Sequence, residues 1–125
     1  MILDTNGLSA VAEGDAALKP ILRKATEIGV PVIVLGEYRY GISQSRHRLR
    51  YERWLAEYLA TFRILEIDQQ TTVFYSALRS ELKRAGTPIP SNDAWIAALC
   101  RQHSQPLISR DRHFDAVTGI MRLSW

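Results

Sequence analysis

The sequence predicts an α/β fold: one domain, residues 1–125, built on a mostly parallel central sheet of four to five short strands flanked by helices. Three observations carry this expectation. Short apolar runs alternate along the chain with stretches whose apolar residues recur at helical spacing. Gly, Pro and acidic residues punctuate the boundaries between them. No internal repeat, low-complexity tract or linker interrupts the alternation. At 125 residues, 46% hydrophobic and 23% charged, the chain is long enough and apolar enough to bury a core and too apolar for disorder.

Met1 to Leu3 is an apolar run that stops at Asp4, and Thr5-Asn6-Gly7 reads as a turn. Asp15 stands as the cap of a helix carrying Leu18, Ile21, Leu22, Ala25 and Ile28, with Gly29 placed as its C-terminal cap. The β-branched run Pro31 to Leu35, between Gly29 and Gly36, reads as a buried strand. Helices are expected over about 36–45 and 46–62, the second with Leu55, Tyr58, Leu59 and Phe62 on one side. Ile64 to Ile67 is another strand, and Val73, Ala77, Leu78 and Leu82 mark a helix closed by Gly86. Thr87-Pro88-Ile89-Pro90 is a loop, because proline restricts both itself and the residue before it. Ser91 caps a helix over about 92–104. Pro106 to Ser109 is a strand, Arg110 to Asp115 a loop, and Ile120 to Leu123 a last strand.

Composition excludes several classes. No run approaches the roughly 18 apolar residues of a membrane span. The N-terminus has no basic segment before an apolar one, so no signal peptide is expected. Cys100 is the sole cysteine, which rules out an internal disulfide and a Cys-based zinc site and points to the cytoplasm. The net charge is +3, and 13 of the 16 basic residues are Arg, whose forked donors match phosphate.

The acidic residues locate the chemistry. In a parallel sheet, ligands bind beyond the carboxyl ends of the strands. Asp4 directly follows the first strand, Glu37 follows the Val32–Leu35 run by two residues, and Asp111 follows Ser109 by two. The helix from 92 to 104 is about 18 Å long at 1.5 Å per residue, and Gln105 to Ser109 recovers about 16 Å at 3.3 Å per residue. If that strand is parallel to the rest, the helix starts at the carboxyl edge, and Asp93 lands near Asp111. Singly, each acid reads as a cap or a surface group. Together they describe a shared site that a cation must neutralise, since close like charges raise one another's pKa. Carboxylate oxygens suit Mg²⁺ or Mn²⁺, whereas zinc prefers His or Cys, and none of the three histidines stands at a ligand spacing beside these acids.

Leu3-Asp4-Thr5-Asn6, Glu37-Tyr38-Arg39-Tyr40-Gly41, Asn92-Asp93-Ala94-Trp95-Ile96-Ala97-Ala98 and Ser109-Arg110-Asp111-Arg112-His113-Phe114, in that order, resemble the PIN-domain ribonucleases. Within that family the resemblance is to the VapC toxins of toxin–antitoxin pairs, and it covers nearly the whole chain. It implies a Mg²⁺-dependent endoribonuclease with Asp4, Glu37, Asp93 and Asp111 as catalytic and metal-binding acids. It further implies Asn6 and Ser109 as supporting groups, Ser109 standing where Thr is common, with Asp115 as an extra acid close to Asp111. A VapB-type antitoxin, an RNA substrate and a toxin homodimer are implied as partners.

The chemistry that fits is metal-assisted phosphodiester hydrolysis, with no Ser, Cys or His nucleophile. Setting the four acids aside leaves sixteen basic residues against nine acidic ones. The densest basic cluster, with Arg46, Arg48 and Arg50 at its centre, is a candidate grip on the RNA backbone, or simply a solvated helix face. Two other classes stay open. A HAD-like Mg²⁺ phosphatase would want a second acid at position 6, where this chain has Asn6. A non-catalytic basic RNA-binding module would need none of the four acids.

Overall fold

A computed structural model describes all of residues 1–125. Five strands, β1 (Ile2–Leu3), β2 (Gly29–Pro31), β3 (Arg63–Leu65), β4 (Leu107–Ile108) and β5 (Arg122–Leu123), form one sheet in the order β3-β2-β1-β4-β5. Every pairing is parallel, with Ile2 opposite both Gly29 and Leu107, and Leu3 opposite Ile108. Six helices connect the strands: α1 (Thr5–Ala12), α2 (Lys19–Leu22), α3 (Val32–Ser43), α4 (Arg48–Tyr58), α5 (Gln69–Arg84) and α6 (Ser91–His103). Short 3₁₀ turns cover Ala16–Leu18, Leu59–Thr61 and Arg112–Ala116. No helix is long and apolar enough to cross a membrane.

The strands are short because each needs only to cross the core once. Ile2, Leu3, Val30, Leu65, Leu107 and Ile108 are all buried, and the apolar faces of the helices cover them. Full burial of a side chain of this size stabilises by about 1.5–3 kcal/mol. Helix α6 is the most deeply set. Ala94, Ile96, Ala97, Ala98, Leu99 and Cys100 are all buried, and the three alanines keep its packing surfaces flat. Its long neighbour α5 is started by a capping box between Asp68 and Thr71, and the buried Thr71 hydroxyl donates to Gln102 of α6 at 2.6 Å.

Several boundaries differ from expectation. The run Val32–Leu35 is the first turn of α3, not a strand, and the strand lies one step earlier, with Gly29 inside it. The buried positions Val34, Tyr38 and Ile42 recur every four residues, so the helical stripe outweighs the β-branched propensity of its first turn. Thr5-Asn6-Gly7 is likewise the start of α1, because Asp4 caps it. The helix expected after Asp15 is only a 3₁₀ turn followed by the four-residue α2, with Pro20 near its start. The helix expected over 46–62 ends at Tyr58, the third strand is shorter than Ile64–Ile67, and the last shrinks to Arg122–Leu123.

Two helical glycines make opposite demands. A Cβ on Gly7 would lie 3.0 Å from the backbone oxygen of Ile108 and 3.2 Å from Asp4 Oδ1, whereas one on Gly41 would meet nothing within 4 Å. Gly41→Ala should therefore raise stability by about 0.5–1 kcal/mol, the usual helical gain over glycine. Gly7→Ala should lower it, because β4 backbone must give way. Thermal melting of both variants checks the pair, and equal gains would contradict the packing of α1 on β4.

Candidate metal centre

From β1 the chain moves outward through β2 to β3, then returns past β1 to β4 and continues to β5. The segments leaving the carboxyl ends of β1 and β4 therefore head in different directions, and a crevice opens between them. Asp4 ends β1, and Ser109 and Asp111 follow β4. Helix α6 begins at this same edge and carries Asp93 in its first turn. Glu37 arrives from α3, six residues after the end of β2.

Asp4 is 5% exposed. Its Oδ1 accepts from the Gly7 backbone N–H at 2.7 Å, and its Oδ2 accepts from the Ser109 hydroxyl at 2.5 Å. The Ser109 oxygen in turn accepts from the Asp111 N–H at 2.9 Å, so one buried hydroxyl joins the two acidic loops. Asp111 starts the 3₁₀ turn at Arg112 by accepting from the His113 N–H at 2.8 Å. Glu37 is fixed from two sides: Thr5 Oγ1 donates to its Oε2 at 3.0 Å, and Asn92 Nδ2 donates to its Oε1 at 2.9 Å. These contacts hold the carboxylates in place while leaving lone pairs unused on each.

The electrostatics report the crowding. Burial pushes the Asp93 carboxyl up to about 6, the charges of Asp111, Glu37 and Asp4 push the same way, and His113 opposes them. Asp4 is also raised, first by burial and then by Asp111 and Glu37, against the hydrogen bonds from Ser109 and Gly7. Burial comes first in both cases, and the neighbouring acids add to it. Asp93 and Asp111 each offer a carboxylate oxygen and His113 a ring nitrogen, all within 4.8 Å of one another. This mixed oxygen and nitrogen set, with Asp4 and Glu37 beside it, can hold a divalent cation.

The structure thus brings Asp4, Glu37, Asp93, Asp111 and Ser109 to one crevice. It corrects the expectation about histidine: His113 Nδ1 lies 3.2 Å from Asp111 Oδ1 and 3.9 Å from Asp93 Oδ2. The 3₁₀ turn after Asp111 folds residue 113 back beside its own cap, a geometry invisible in a segment expected to be a loop. Asn92 and Thr5, which position Glu37, lie within the motifs that carry the resemblance, but their contacts join segments 55 and 32 positions apart and leave no local signal. Asn6 is exposed and makes no side-chain hydrogen bond. Asp115 is held elsewhere: both its oxygens accept from Arg122, at 2.8 and 2.9 Å, and this pairing holds its carboxyl below the usual range. Arg46, Arg48 and Arg50 are exposed around the start of α4 and touch none of the four acids, Arg48 facing Glu52 at 3.9 Å.

Comparison with known proteins gives a consistent result. The family model described as "PIN domain" matches residues 1–120. The "Ribonuclease VapC4" of Mycobacterium tuberculosis is 32% identical over 96 residues, 75% of this chain and 74% of that protein. The "Ribonuclease VapC2" of Rickettsia felis is 27% identical over 106 residues, covering 84% of this chain and 79% of its own length. Among solved structures, VapBC2 from Rickettsia felis, bound to a DNA fragment from its promoter, superposes with a TM-score of 0.87 at 26% identity over 99% of this chain and 97% of that one. FitAB bound to the IR36 DNA fragment gives a TM-score of 0.84 at 26% identity over 98% and 93% of the two chains.

The raised Asp93 carboxyl has a measurable consequence for the metal-free protein. A folded-state pKa of about 6 against an ordinary 3.8 means the fold favours the neutral form. That stabilisation is complete below about 3.8 and is lost as pH rises through about 6. At pH 7 in EDTA, Asp93→Asn should therefore melt higher than the parent, by about 1 kcal/mol once solvent screening at this open site is allowed for. Near pH 4 the two should melt alike. A gain that persists at pH 4 would place the effect outside this ionisation.

Proposed function

The chain belongs to the PIN-domain family, and on that premise we propose that it is a divalent-metal-dependent endoribonuclease, the toxin of a VapBC-type toxin–antitoxin pair. The observation that carries this reading is the convergence of four carboxylates in the β1/β4 crevice, with Asp93 pushed up to about 6 by burial and by its acidic neighbours. Relatives named as VapC ribonucleases, and neighbours solved as VapBC complexes, support the substrate and the partner.

Asp4, Asp93 and Asp111 would hold Mg²⁺ or Mn²⁺, with Glu37 beside them and His113 at the rim. When bound, the ion supplies positive charge that offsets the charge growing on the phosphate and leaving oxygen and makes water more acidic. The chain's own groups do the rest. Ser109 fixes the spacing between Asp4 and Asp111 through one shared hydroxyl. Glu37, clamped by Thr5 and Asn92, orients the attacking water with an unused lone pair and takes up its proton. The exposed Arg46, Arg48 and Arg50 attract the RNA backbone at a distance from the acids, which alone would repel it. The protein acts in the cytoplasm, as a homodimer, and is restrained by a VapB-type antitoxin. An antitoxin Arg forked onto the carboxylates would displace metal and block phosphate together.

The test is RNA cleavage by the purified chain. Activity should need Mg²⁺ or Mn²⁺ and stop in EDTA. Asp4→Asn should lower the rate by more than about 100-fold, and Thr5→Ala or Asn92→Ala by about 10–100-fold, the usual cost of losing a group that orients a ligand. In bacteria, Asp4→Asn should relieve the growth arrest caused by the parent. Full cleavage in EDTA would remove the metal mechanism, and RNA binding without cleavage by the parent would return the protein to the non-catalytic class.

A further inference from the structure

Beyond the acids, the outer side of α5 and the first turns of α6 carry a second concentration of chemistry. Tyr75 of α5 and Trp95 of α6 stack with ring centroids 3.7 Å apart and planes 14° from parallel. Both rings are only partly buried. Arg79, one turn after Tyr75, donates to the Tyr75 hydroxyl at 2.8 Å and sits 5.6 Å from the ring centroid. Lys83 follows four residues later on the same stripe of α5. Neither cation belongs to any of the chain's ion pairs. Both line a recess of about 370 Å³ between α5 and the Pro88-Ile89 loop that leads into α6. That volume lies within the range of small-ligand pockets.

The position of this patch relative to the acids follows from helix geometry. At about 100° per residue, Trp95 lies on the far side of α6 from Asp93, and Asn92 lies between them. Asn92 is the residue that holds Glu37. The rings are therefore about one helix diameter, roughly 10 Å, around α6 from the acidic crevice. A strand of RNA with its cleaved phosphate at the acids would reach them with a neighbouring nucleotide. A structural α5–α6 contact would need apolar bulk, but not a stacked, partly exposed aromatic pair flanked by two cations outside every ion pair.

We propose that the Tyr75–Trp95 stack and the adjoining Arg79–Lys83 recess form a nucleotide subsite, which receives the base of a nucleotide flanking the cleaved bond on the ring surface and its phosphate on the two cations. This rests on the nuclease reading above. The ring surface accepts any base by stacking, and the cations accept any phosphate, so the subsite grips single-stranded RNA without reading a base edge.

The test uses a short oligoribonucleotide that the full chain cuts, alongside a series in which one residue at a time is abasic. In the parent, one abasic position beside the cut should lower kcat/KM by about 10-fold or more, the fold-change that corresponds to losing one base–aromatic stack. In Trp95→Leu that abasic penalty should collapse to near unity, with the loss on the intact substrate seen in KM and little change in kcat. Trp95→Phe, which keeps a ring, should restore the penalty. The surface double variant Arg79→Gln, Lys83→Gln should weaken binding for all sequences and flatten its salt dependence by about one to two in the log–log slope. It gives an answer even if Trp95→Leu folds poorly. An undiminished abasic penalty in folded Trp95→Leu, or an unchanged salt slope in the double variant, would overturn the subsite. So would conversion of a dimer to a monomer by Trp95→Phe in light scattering, which would make the rings a seam between two copies. A fluorescent oligonucleotide binding assay separates this from the larger reading: Trp95-dependent binding by a parent chain that cuts no RNA would retain the subsite and remove the nuclease.

Discussion

Mutual repulsion among carboxylates is the constraint around which this molecule is arranged. Asp4, Glu37, Asp93 and Asp111 come from four separate segments, and left to themselves they would separate. The reversal of strand order at β1 sets two chain segments at one edge, and the buried face of α6 brings a third. The large apolar contribution of the core overcomes a local cost of a few kcal/mol at the crevice. Burial raises the Asp4 and Asp93 carboxyls most, and the neighbouring acids push them the same way. A cation at the crevice would offset both the burial of these carboxyls and the charges beside them.

The neutral partners around the acids matter for the same reason. A positive side chain placed directly on Asp4 or Glu37 would relieve the repulsion permanently and leave nothing for a cation to do. The chain uses Ser109, Thr5, Asn92 and the Gly7 N–H instead, each of which fixes an oxygen without cancelling its charge. Its arginines form no ion pair with any of the four acids. Arg101 ties α6 to Glu81 of α5 at 2.7 Å and to the Thr118 backbone, and Arg122 joins Asp115 to the carbonyl of Ser109. The fate of Asp115 shows the distinction: an acid four residues from Asp111 is fully paired with Arg122.

Much of this was legible in the residues. The position of an acid immediately after an apolar run is enough to place Asp4 and Asp111 at a carboxyl edge, and a simple length argument carries Asp93 there. Glu37 lies at the carboxyl edge even though its residues suggest a different element before it. The run before it is helical, yet a helix that starts at the end of β2 begins at the same edge as a strand that ends there. The parts that could not be read depend on contacts between distant segments. Whether Val32 to Leu35 is strand or helix is decided by what Val34, Tyr38 and Ile42 pack against, and local propensity favours the wrong answer. His113 joins the acids only because a 3₁₀ turn curls after Asp111. The orientation of Asp115 depends on Arg122, which belongs to a strand not yet formed when the loop is considered alone.

The pairing of β1 with β4 has a consequence for how the protein comes into being. Asp4 and its hydroxyl partner Ser109 are separated by 105 positions, and the first strand has no neighbour on that side until Leu107 and Ile108 exist. At a synthesis rate of about 5–20 residues per second, many seconds pass between the appearance of the first acid and the last. Throughout that interval the growing polypeptide lacks one wall of the crevice. The crevice is therefore completed only after β4 and the residues that follow it have been made.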